Sequence, residues 1–209
     1  MRQNILIAGV GGQGNLYASA LLAKAAMRRG YKVFATETIG AAQRGGSVVS
    51  HLRIADRALY SPLIPDGQAD YLVGFEPIEL LRHVRKLSPH GQYIVNMHPV
   101  LTVGCNMGVD HYPAPVEILD ALEKMKLRGY ALHATEAADE IGDPLLMNAV
   151  MLGALCAVSP FFELDEIKAL VAEGSHKALV ESNLAALDAG AQLIRQSTKK
   201  PLARPDTAG

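Results

Sequence analysis

Cysteine is scarce in this sequence of 209 residues, which contains Cys105 and Cys156 alone. A four-iron cluster is held by four thiolates, and zinc sites usually take several Cys or His residues at short spacing. The two cysteines form no CxxC motif, and the seven histidines form no HxxxH or HExxH pair. The chain therefore cannot hold an iron–sulfur cluster by itself, and we expect it to have no metal site.

Clusters of one charge and long apolar runs are also missing. The net charge is −1 and the basic residues are scattered, which argues against nucleic acid and anionic membranes as partners. The most apolar stretch, residues 145–158, is too short to cross a bilayer. No secretory signal pattern precedes the first strand pattern, and so few cysteines suit a reducing compartment. We expect a cytoplasmic protein.

Alternating strand and helix patterns fill the first two thirds of the chain. Strand patterns cover residues 4–8, 32–36, 47–54, 71–75, 92–96 and 130–135, and helix patterns cover 13–29, 79–87 and 115–126. After Pro144 the pattern is helical, over 145–158, 164–172 and 176–195. This order predicts a Rossmann-like three-layer α/β/α fold with a mixed, mainly parallel sheet and a helical C-terminal third.

The domain organisation is simple. We expect residues 1–196 to form one α/β domain and the polar, proline-containing residues 197–209 to form a flexible tail. Within the helical third, residues 145–158 are apolar nearly all round. This pattern indicates either a central core helix or a helix that packs against another subunit.

The motif GVGGQG, residues 9–14, lies between the first strand pattern and the first helix pattern. Gly9, Gly11 and Gly14 have the spacing GxGxxG, and Glu37 follows near the end of the second strand pattern. In this context the motif indicates a dinucleotide site, whose pyrophosphate would lie on the helix N-terminus. A stand-alone NAD- or FAD-dependent oxidoreductase is therefore one hypothesis.

The short connection between the second and third strand patterns argues against an ordinary dinucleotide fold. Residues 38–46 are too few for a parallel crossover, so we expect the third strand to pair antiparallel or to lie at an edge. The connection contains QRGGS, residues 43–47, just after the carboxyl end of the second strand. We expect this loop to converge with the glycine loop, where Arg44 and the glycine amides would hold an anion.

Four segments together resemble the small subunit of the 2-oxoacid:ferredoxin oxidoreductases. They read ILIAGVGGQG, TETIGAAQRGGSVVSHLRI, MNAVMLGALCA and VESNLAALDAG, and the resemblance covers residues 3 to about 195. The form QRGGSV, preceded by Glu37, most resembles the beta subunit of indolepyruvate ferredoxin oxidoreductase. Ala41 and Ala42 depart from the family, which often has Met-Ser there, and this departure bears on the substrate.

The resemblance implies a heteromeric enzyme that oxidatively decarboxylates an aryl 2-oxoacid with coenzyme A, releases an acyl-CoA and CO2, and reduces ferredoxin. A larger partner subunit would hold thiamine diphosphate, Mg2+ and iron–sulfur clusters, in a complex such as a dimer of heterodimers. This chain would complete the active site and would be inactive alone. The sequence agrees independently, because it lacks a GDG…NN motif and the cysteines that these groups need.

Within that family, the site would lie on the two loops. The residues expected to bind cofactor or substrate are Gly9, Gly11, Gly12, Gln13, Gly14, Gly45, Gly46 and Ser47. The catalytic candidates are Glu37, Gln43 and Arg44, with Glu37 as the one acid placed to contact the cleft and to orient Arg44 or a loop backbone. A regulatory module that binds coenzyme A or a nucleotide is an alternative hypothesis.

Three other polar residues are weaker candidates. Asn148 and Asn183 match asparagines of the family, and we interpret both as buried amides that bond the backbone or each other. Cys105 has neither a local base nor a helix start beside it in the sequence, so we do not expect a catalytic thiol there.

Overall fold

The computed structural model describes residues 1–39, 46–101, 105, 107, 111–174 and 176–197. Six strands lie in these ranges: β1 (Arg2–Val10), β2 (Lys32–Ile39), β3 (Ser47–Ala55), β4 (Ala69–Gly74), β5 (Leu87–Asn96) and β6 (Arg128–Leu132). The same ranges contain seven α-helices: α1 (Asn15–Arg28), α2 (Pro77–His83), α3 (Pro115–Lys124), α4 (Ala134–Ile141), α5 (Met147–Val158), α6 (Leu164–Gly174) and α7 (Lys177–Ser197). Short 3₁₀ turns, Val84–Lys86 and Pro144–Leu146, precede β5 and α5.

The strands form one sheet in the order β2-β3-β1-β4-β5-β6. β3 runs antiparallel to both of its neighbours, whereas the pairs β1–β4, β4–β5 and β5–β6 are parallel. The mixed, mainly parallel sheet and the antiparallel third strand are therefore confirmed. β3 lies inside the sheet, because the chain turns back after the edge strand β2 and places β3 between β2 and β1.

Helices cover both faces of the sheet. Ile5 and Ile7 of β1 belong to a core shared with α1 and the C-terminal helices α4 to α7, whereas Leu6 and Ala8 belong to a second core shared with α2 and α3. Because both faces are covered, β1 is buried from Asn4 onward without polar alternation. This arrangement confirms the three layers.

α5 is a core helix, as one of the two interpretations of residues 145–158 predicts. It packs against α7 so closely that a Cβ on Gly153 would lie 1.9 Å from the Leu187 carbonyl oxygen. A Cβ on Gly190 would lie 1.8 Å from the Val150 carbonyl oxygen. The two helices therefore touch through their backbones. No helix in the described ranges has both the length and the apolar character needed to span a bilayer.

Several element boundaries differ from the sequence prediction, and two of the differences change the type of element. The strand predicted over residues 130–135 ends at Leu132, and the following helix α4 is not predicted at all. The cause is a tertiary contact, because the side-chain carbonyl of Asn96 accepts the N–H groups of Ala134 and Thr135 and so caps α4. The helix predicted over 79–87 is also shorter, since Leu87 already begins β5.

Candidate functional site

The carboxyl ends of β1 and β4 form the switch point of the sheet, from which the chain connections lead to strands on opposite sides. From β1 the chain crosses through α1 to β2 on one side, and from β4 it crosses through α2 to β5 on the other. The two connections leave the sheet in opposite directions, which opens a crevice between the strand ends. Ligands of open α/β sheets bind at such a crevice.

The side chain of Gln13 bridges this crevice. Its Oε1 accepts a hydrogen bond of 2.8 Å from the N–H of Val10, at the end of β1. Its Nε2 donates a hydrogen bond of 3.2 Å to the carbonyl oxygen of Phe75, just after β4. Both ends of the amide are therefore engaged with the chain's own backbone, at the place where a dinucleotide would otherwise pass.

A second amide continues the network toward β5. Asn96, fully buried at the end of β5, donates through Nδ2 to the same Phe75 carbonyl at 3.2 Å and to the hydroxyl of Thr135 at 3.0 Å. Because its Oδ1 also caps α4, Asn96 has partners on both sides of its amide. Gln13 and Asn96 together join the ends of β1, β4 and β5 through hydrogen bonds.

The glycines of the first loop have different roles. A Cβ on Gly9 would lie 2.7 Å from Oε1 of Gln13, and a Cβ on Gly14 would lie 2.2 Å from Nδ2 of Asn148. These two glycines are required by packing within the chain. Gly12 has a positive φ of 101°, and none of the described atoms lies within 4 Å of its Cβ position, so it is not required by packing against them.

The two loops converge, as predicted. The N–H of Gly11 donates a hydrogen bond of 2.9 Å to the carbonyl oxygen of Gly46, and Val10 lies opposite Ser47 in the pairing of β1 with β3. The contact is therefore made by Gly46 and Ser47, at the end of the second loop. Gln43, Arg44 and Gly45 lie outside the described residues.

A cavity of about 580 Å3 adjoins this contact on the α2 side of the sheet. Ser47 borders it and donates a hydrogen bond of 2.5 Å to Oε2 of Glu79, while Arg82 donates one of 2.8 Å to Oε1. Glu79 is only 4% exposed, so this carboxylate carries both partners in a largely dry setting. The second loop is thereby anchored to α2.

Glu76, 2% exposed, borders the same cavity. Its Oε2 accepts the N–H of Glu79 at 2.9 Å and so caps α2, and its Oε1 accepts the N–H of Val100 at 3.3 Å and the hydroxyl of Tyr112. Burial and the neighbouring Glu76 carboxylate raise the pKa of Tyr112. The phenol therefore stays a hydrogen-bond donor at neutral pH. Within the described part of the chain, no group of three or more His, Cys, Asp or Glu could hold a metal ion.

The expectation that Glu37 is the one acid at this cleft is wrong. Glu37 lies opposite Ser50 of β3, which lies opposite Ile7 of β1, so it sits three residues short of the end of β1. Its side chain is exposed, and partial desolvation of the carboxyl group raises its pKa. Among the described residues that border the cavity, the acids are Glu76 and Glu79, which the sequence reasoning missed. An acid followed by proline at the end of a buried strand was the available signal for Glu76.

The other candidates fall in different places. Asn183 donates a hydrogen bond of 2.7 Å to the Leu179 carbonyl of its own helix, so the predicted bond to the backbone is present, but the residue is half-buried and not buried as predicted. Asn148 is only half-buried, so its interpretation as a buried amide is wrong, and its Nδ2 lies beside Gly14 without a hydrogen bond to any of the described residues. Cys105 borders the cavity next to Tyr112.

The N-terminus of α1 has no side-chain cap among the described residues. Its N-cap is Gly14, which has no side chain to accept a hydrogen bond, and its first turn contains no acidic residue. The first N–H groups of a helix lack intrahelical partners and carry a partial positive charge. Gly12 and the amide of Asn148 flank these groups. This edge can therefore hold an anion by means of backbone N–H groups and one side-chain amide.

Replacing Gln13 with leucine is expected to lower the free energy of unfolding by about 1–3 kcal/mol, because the N–H of Val10 loses its acceptor and Phe75 loses one donor. Gln13→Glu keeps the acceptor but sets a carboxylate oxygen against the Phe75 carbonyl oxygen, so it should also lower the free energy of unfolding. Urea unfolding measures both, and Gln192→Leu on the exposed face of α7 is the matched control, expected near zero. Unchanged stability of Gln13→Leu would show that the bridge does not hold the strand ends together.

The sequence is similar to a known protein family over nearly its whole length. The chain matches the family model for pyruvate ferredoxin/flavodoxin oxidoreductase over residues 4–193. It is 39% identical to indolepyruvate oxidoreductase subunit IorB of Archaeoglobus fulgidus, over 91% of this chain and 94% of that one.

Solved structures agree with this likeness. Pyruvate oxidoreductase subunit PORC of Thermotoga maritima superposes with a TM-score of 0.69 and 26% identity, over 92% of this chain and 96% of that one. The 2-oxoglutarate:ferredoxin oxidoreductase of Magnetococcus marinus, solved with 2-oxoglutarate, coenzyme A and succinyl-CoA, superposes with a TM-score of 0.72 and 23% identity. That likeness covers 93% of this chain and 31% of the other, so most of the fold described above recurs within a longer polypeptide.

Proposed function

This chain belongs to the pyruvate ferredoxin/flavodoxin oxidoreductase family and is the small subunit of a 2-oxoacid:ferredoxin oxidoreductase, and we propose that its substrate is indolepyruvate or a related aryl 2-oxoacid. The enzyme would decarboxylate this substrate oxidatively in the cytoplasm, transfer the acyl group to coenzyme A and pass two electrons to ferredoxin. The 39% identity to an indolepyruvate oxidoreductase subunit, over nearly the whole chain, carries the proposal.

A larger partner subunit would supply the reactive groups. Thiamine diphosphate stabilises the carbanion formed on decarboxylation, and iron–sulfur clusters carry the electrons. The residues of this chain do not fit those groups, because it has two cysteines and no GDG…NN motif. We therefore expect no turnover from the isolated chain and full turnover only when the partner is present.

The part of the site that this chain contributes is the rim formed by Gly12, the N-terminus of α1 and Asn148. We expect it to hold a phosphate group of coenzyme A, since free N–H groups at a helix N-terminus favour an anion and the amide of Asn148 is available as a donor. The Magnetococcus marinus enzyme was solved with coenzyme A, which supports this choice of ligand. Gln13 would act by holding the rim, not by touching the ligand.

A dinucleotide is a poorer fit at the same place. Gln13 joins the strand ends between which a pyrophosphate would lie, and the antiparallel β3 interrupts the βαβαβ unit that binds the second nucleotide. We therefore expect titration of the isolated chain with NADH to show no binding. Micromolar affinity would instead support a stand-alone dehydrogenase.

Asn148→Asp is the sharpest test of the coenzyme A rim. The carboxylate would repel a phosphate, so the KM for coenzyme A of the reconstituted enzyme should rise about tenfold, equivalent to about 1.4 kcal/mol. The same charge beside the N-terminus of α1 is favourable for the helix, so the melting temperature should stay equal or rise. A raised KM for coenzyme A together with an equal or higher melting temperature is a result that simple misfolding cannot produce.

Asn183→Asp is the matched control, because it makes the same chemical change on α7. α5 and α7 run antiparallel, since Val150 meets Gly190 and Gly153 meets Leu187, so Asn183 lies toward the far end of α5 from Asn148. The control should leave the KM for coenzyme A unchanged. An unchanged KM in Asn148→Asp would remove the rim from the coenzyme A site, while a raised KM for the 2-oxoacid alone would assign it to that substrate.

A further inference from the structure

A second cavity, of about 560 Å3, lies at the opposite, amino edge of the sheet. The start of β1, the end of β3 and the loop that follows β3 enclose it. Its lining contains three arginines, Arg2, Arg53 and Arg57, together with Tyr60 and Ser61. Among the described residues that border it there is no acid. The volume is typical of a site for a small molecule.

Arg53 is a buried cation that has no carboxylate partner in the part of the chain that the structure describes. It is 7% exposed, and its acceptors are neutral: Oδ1 of Asn4 at 3.1 Å and the carbonyl oxygens of Ser61 and Leu63 at 2.8 and 3.2 Å. These bonds use Nε and Nη1, and the side chain also borders the cavity. Burial and the positive charge of Arg2 lower the pKa of Arg53. Buried charges in proteins are normally paired, so this one calls for an anion.

The other two arginines surround the same space from its open side. The side chain of Arg57 is 85% exposed, and its neighbour Asp56 is 3.7 Å from Nε without bordering the cavity. Arg2 is exposed as well. A ligand could thus reach one guanidinium at the floor and two at the mouth. Tyr60, 96% exposed at the same mouth, offers an uncovered aromatic ring.

We infer that this cavity binds a small phosphorylated molecule, with its phosphate on Arg53, Arg2 and Arg57 and its organic part against Tyr60. A phosphate carries up to two charges and three free oxygens, so several guanidiniums can share it, whereas a carboxylate is satisfied by one bidentate arginine. An aromatic ring favours a flat organic group such as a nucleobase. The site is independent of the coenzyme A rim, because it lies at the other edge of the sheet.

Calorimetric titration of the complete chain with AMP, inorganic phosphate and citrate tests the inference. We expect AMP to bind most tightly, phosphate to bind more weakly, and citrate to bind least. The double variant Arg2→Ala/Arg57→Ala should weaken AMP binding at least tenfold, and Tyr60→Leu should weaken AMP but not phosphate. Arg53 is left unchanged in these variants, because its bonds to Ser61 and Leu63 also hold the loop.

Arg85→Ala is the matched control, since its side chain is likewise 85% exposed but pairs with Asp66 away from the cavity. It should bind AMP as the parent chain does. Three results would overturn the inference: no AMP binding, equal AMP binding by the double variant, or tighter binding of citrate than of AMP. Loss of AMP binding in Asn148→Asp with no loss in the double variant would assign the nucleotide to the coenzyme A rim and also overturn it.

Discussion

Replacing Gly190 with alanine is expected to lower the free energy of unfolding by about 3 kcal/mol, because the new methyl group has no room. Its carbon would lie 1.8 Å from the carbonyl oxygen of Val150 and 2.8 Å from the backbone nitrogen of Ala154. Both contacts are backbone atoms of α5, which cannot rotate away as a side chain could. α5 is itself buried in the first core, so separating the helices would open that core.

Urea unfolding measures this effect, and Gly174→Ala near the end of α6 is the control. None of the described atoms lies within 4 Å of the Cβ position of Gly174, so alanine there should be neutral or slightly stabilising. Gly190→Ala with the stability of the parent chain would mean that α5 and α7 do not pack backbone against backbone. The same packing sets the depth of α5, and thus the position of Asn148 beside Gly14.

Much of the fold follows from local patterns. β1 is an uninterrupted apolar run because both of its faces are covered, and the helical third follows from 3.6-residue periodicity. The antiparallel β3 follows from the number of residues available between two strands. Each of these inferences rests on residues close together in the chain, which is where sequence reasoning is strongest.

The candidate site was harder to predict from the sequence, because contacts between residues far apart in the chain determine its structure. The spacing GxGxxG is the same whether a glycine makes room for a pyrophosphate or for a neighbouring side chain. Only the structure shows that Gly9 makes room for Gln13 and that Gly14 makes room for Asn148. Likewise, Glu79 is identified by its bond to Ser47, 32 residues earlier. α4 was missed for the same reason, since its cap comes from Asn96.

Lowering the pH from about 6.5 to about 4 is expected to cost the protein about 2–3 kcal/mol of stability through His51 alone. Burial first, and then the charges of Lys86, His83 and Arg53, lower the pKa of His51 to about 4. The unfolded chain takes up a proton near pH 6.5, while the folded chain stays neutral until about pH 4. Stability attributable to His51 is therefore complete above pH 6.5 and falls throughout this window.

The hydrogen bond of His51 explains why the folded form resists protonation. Nδ1 accepts the N–H of Ile64 at 3.1 Å, and a protonated ring could not accept it. His51→Asn places a carbonyl oxygen near the position of Nδ1 and does not titrate, so its urea midpoint should decline less between pH 7.5 and 4.5 than that of the parent. His90→Asn, on an exposed part of β5, should decline like the parent. Equal slopes for all three proteins would mean that His51 is protonated alike in the folded and unfolded chains.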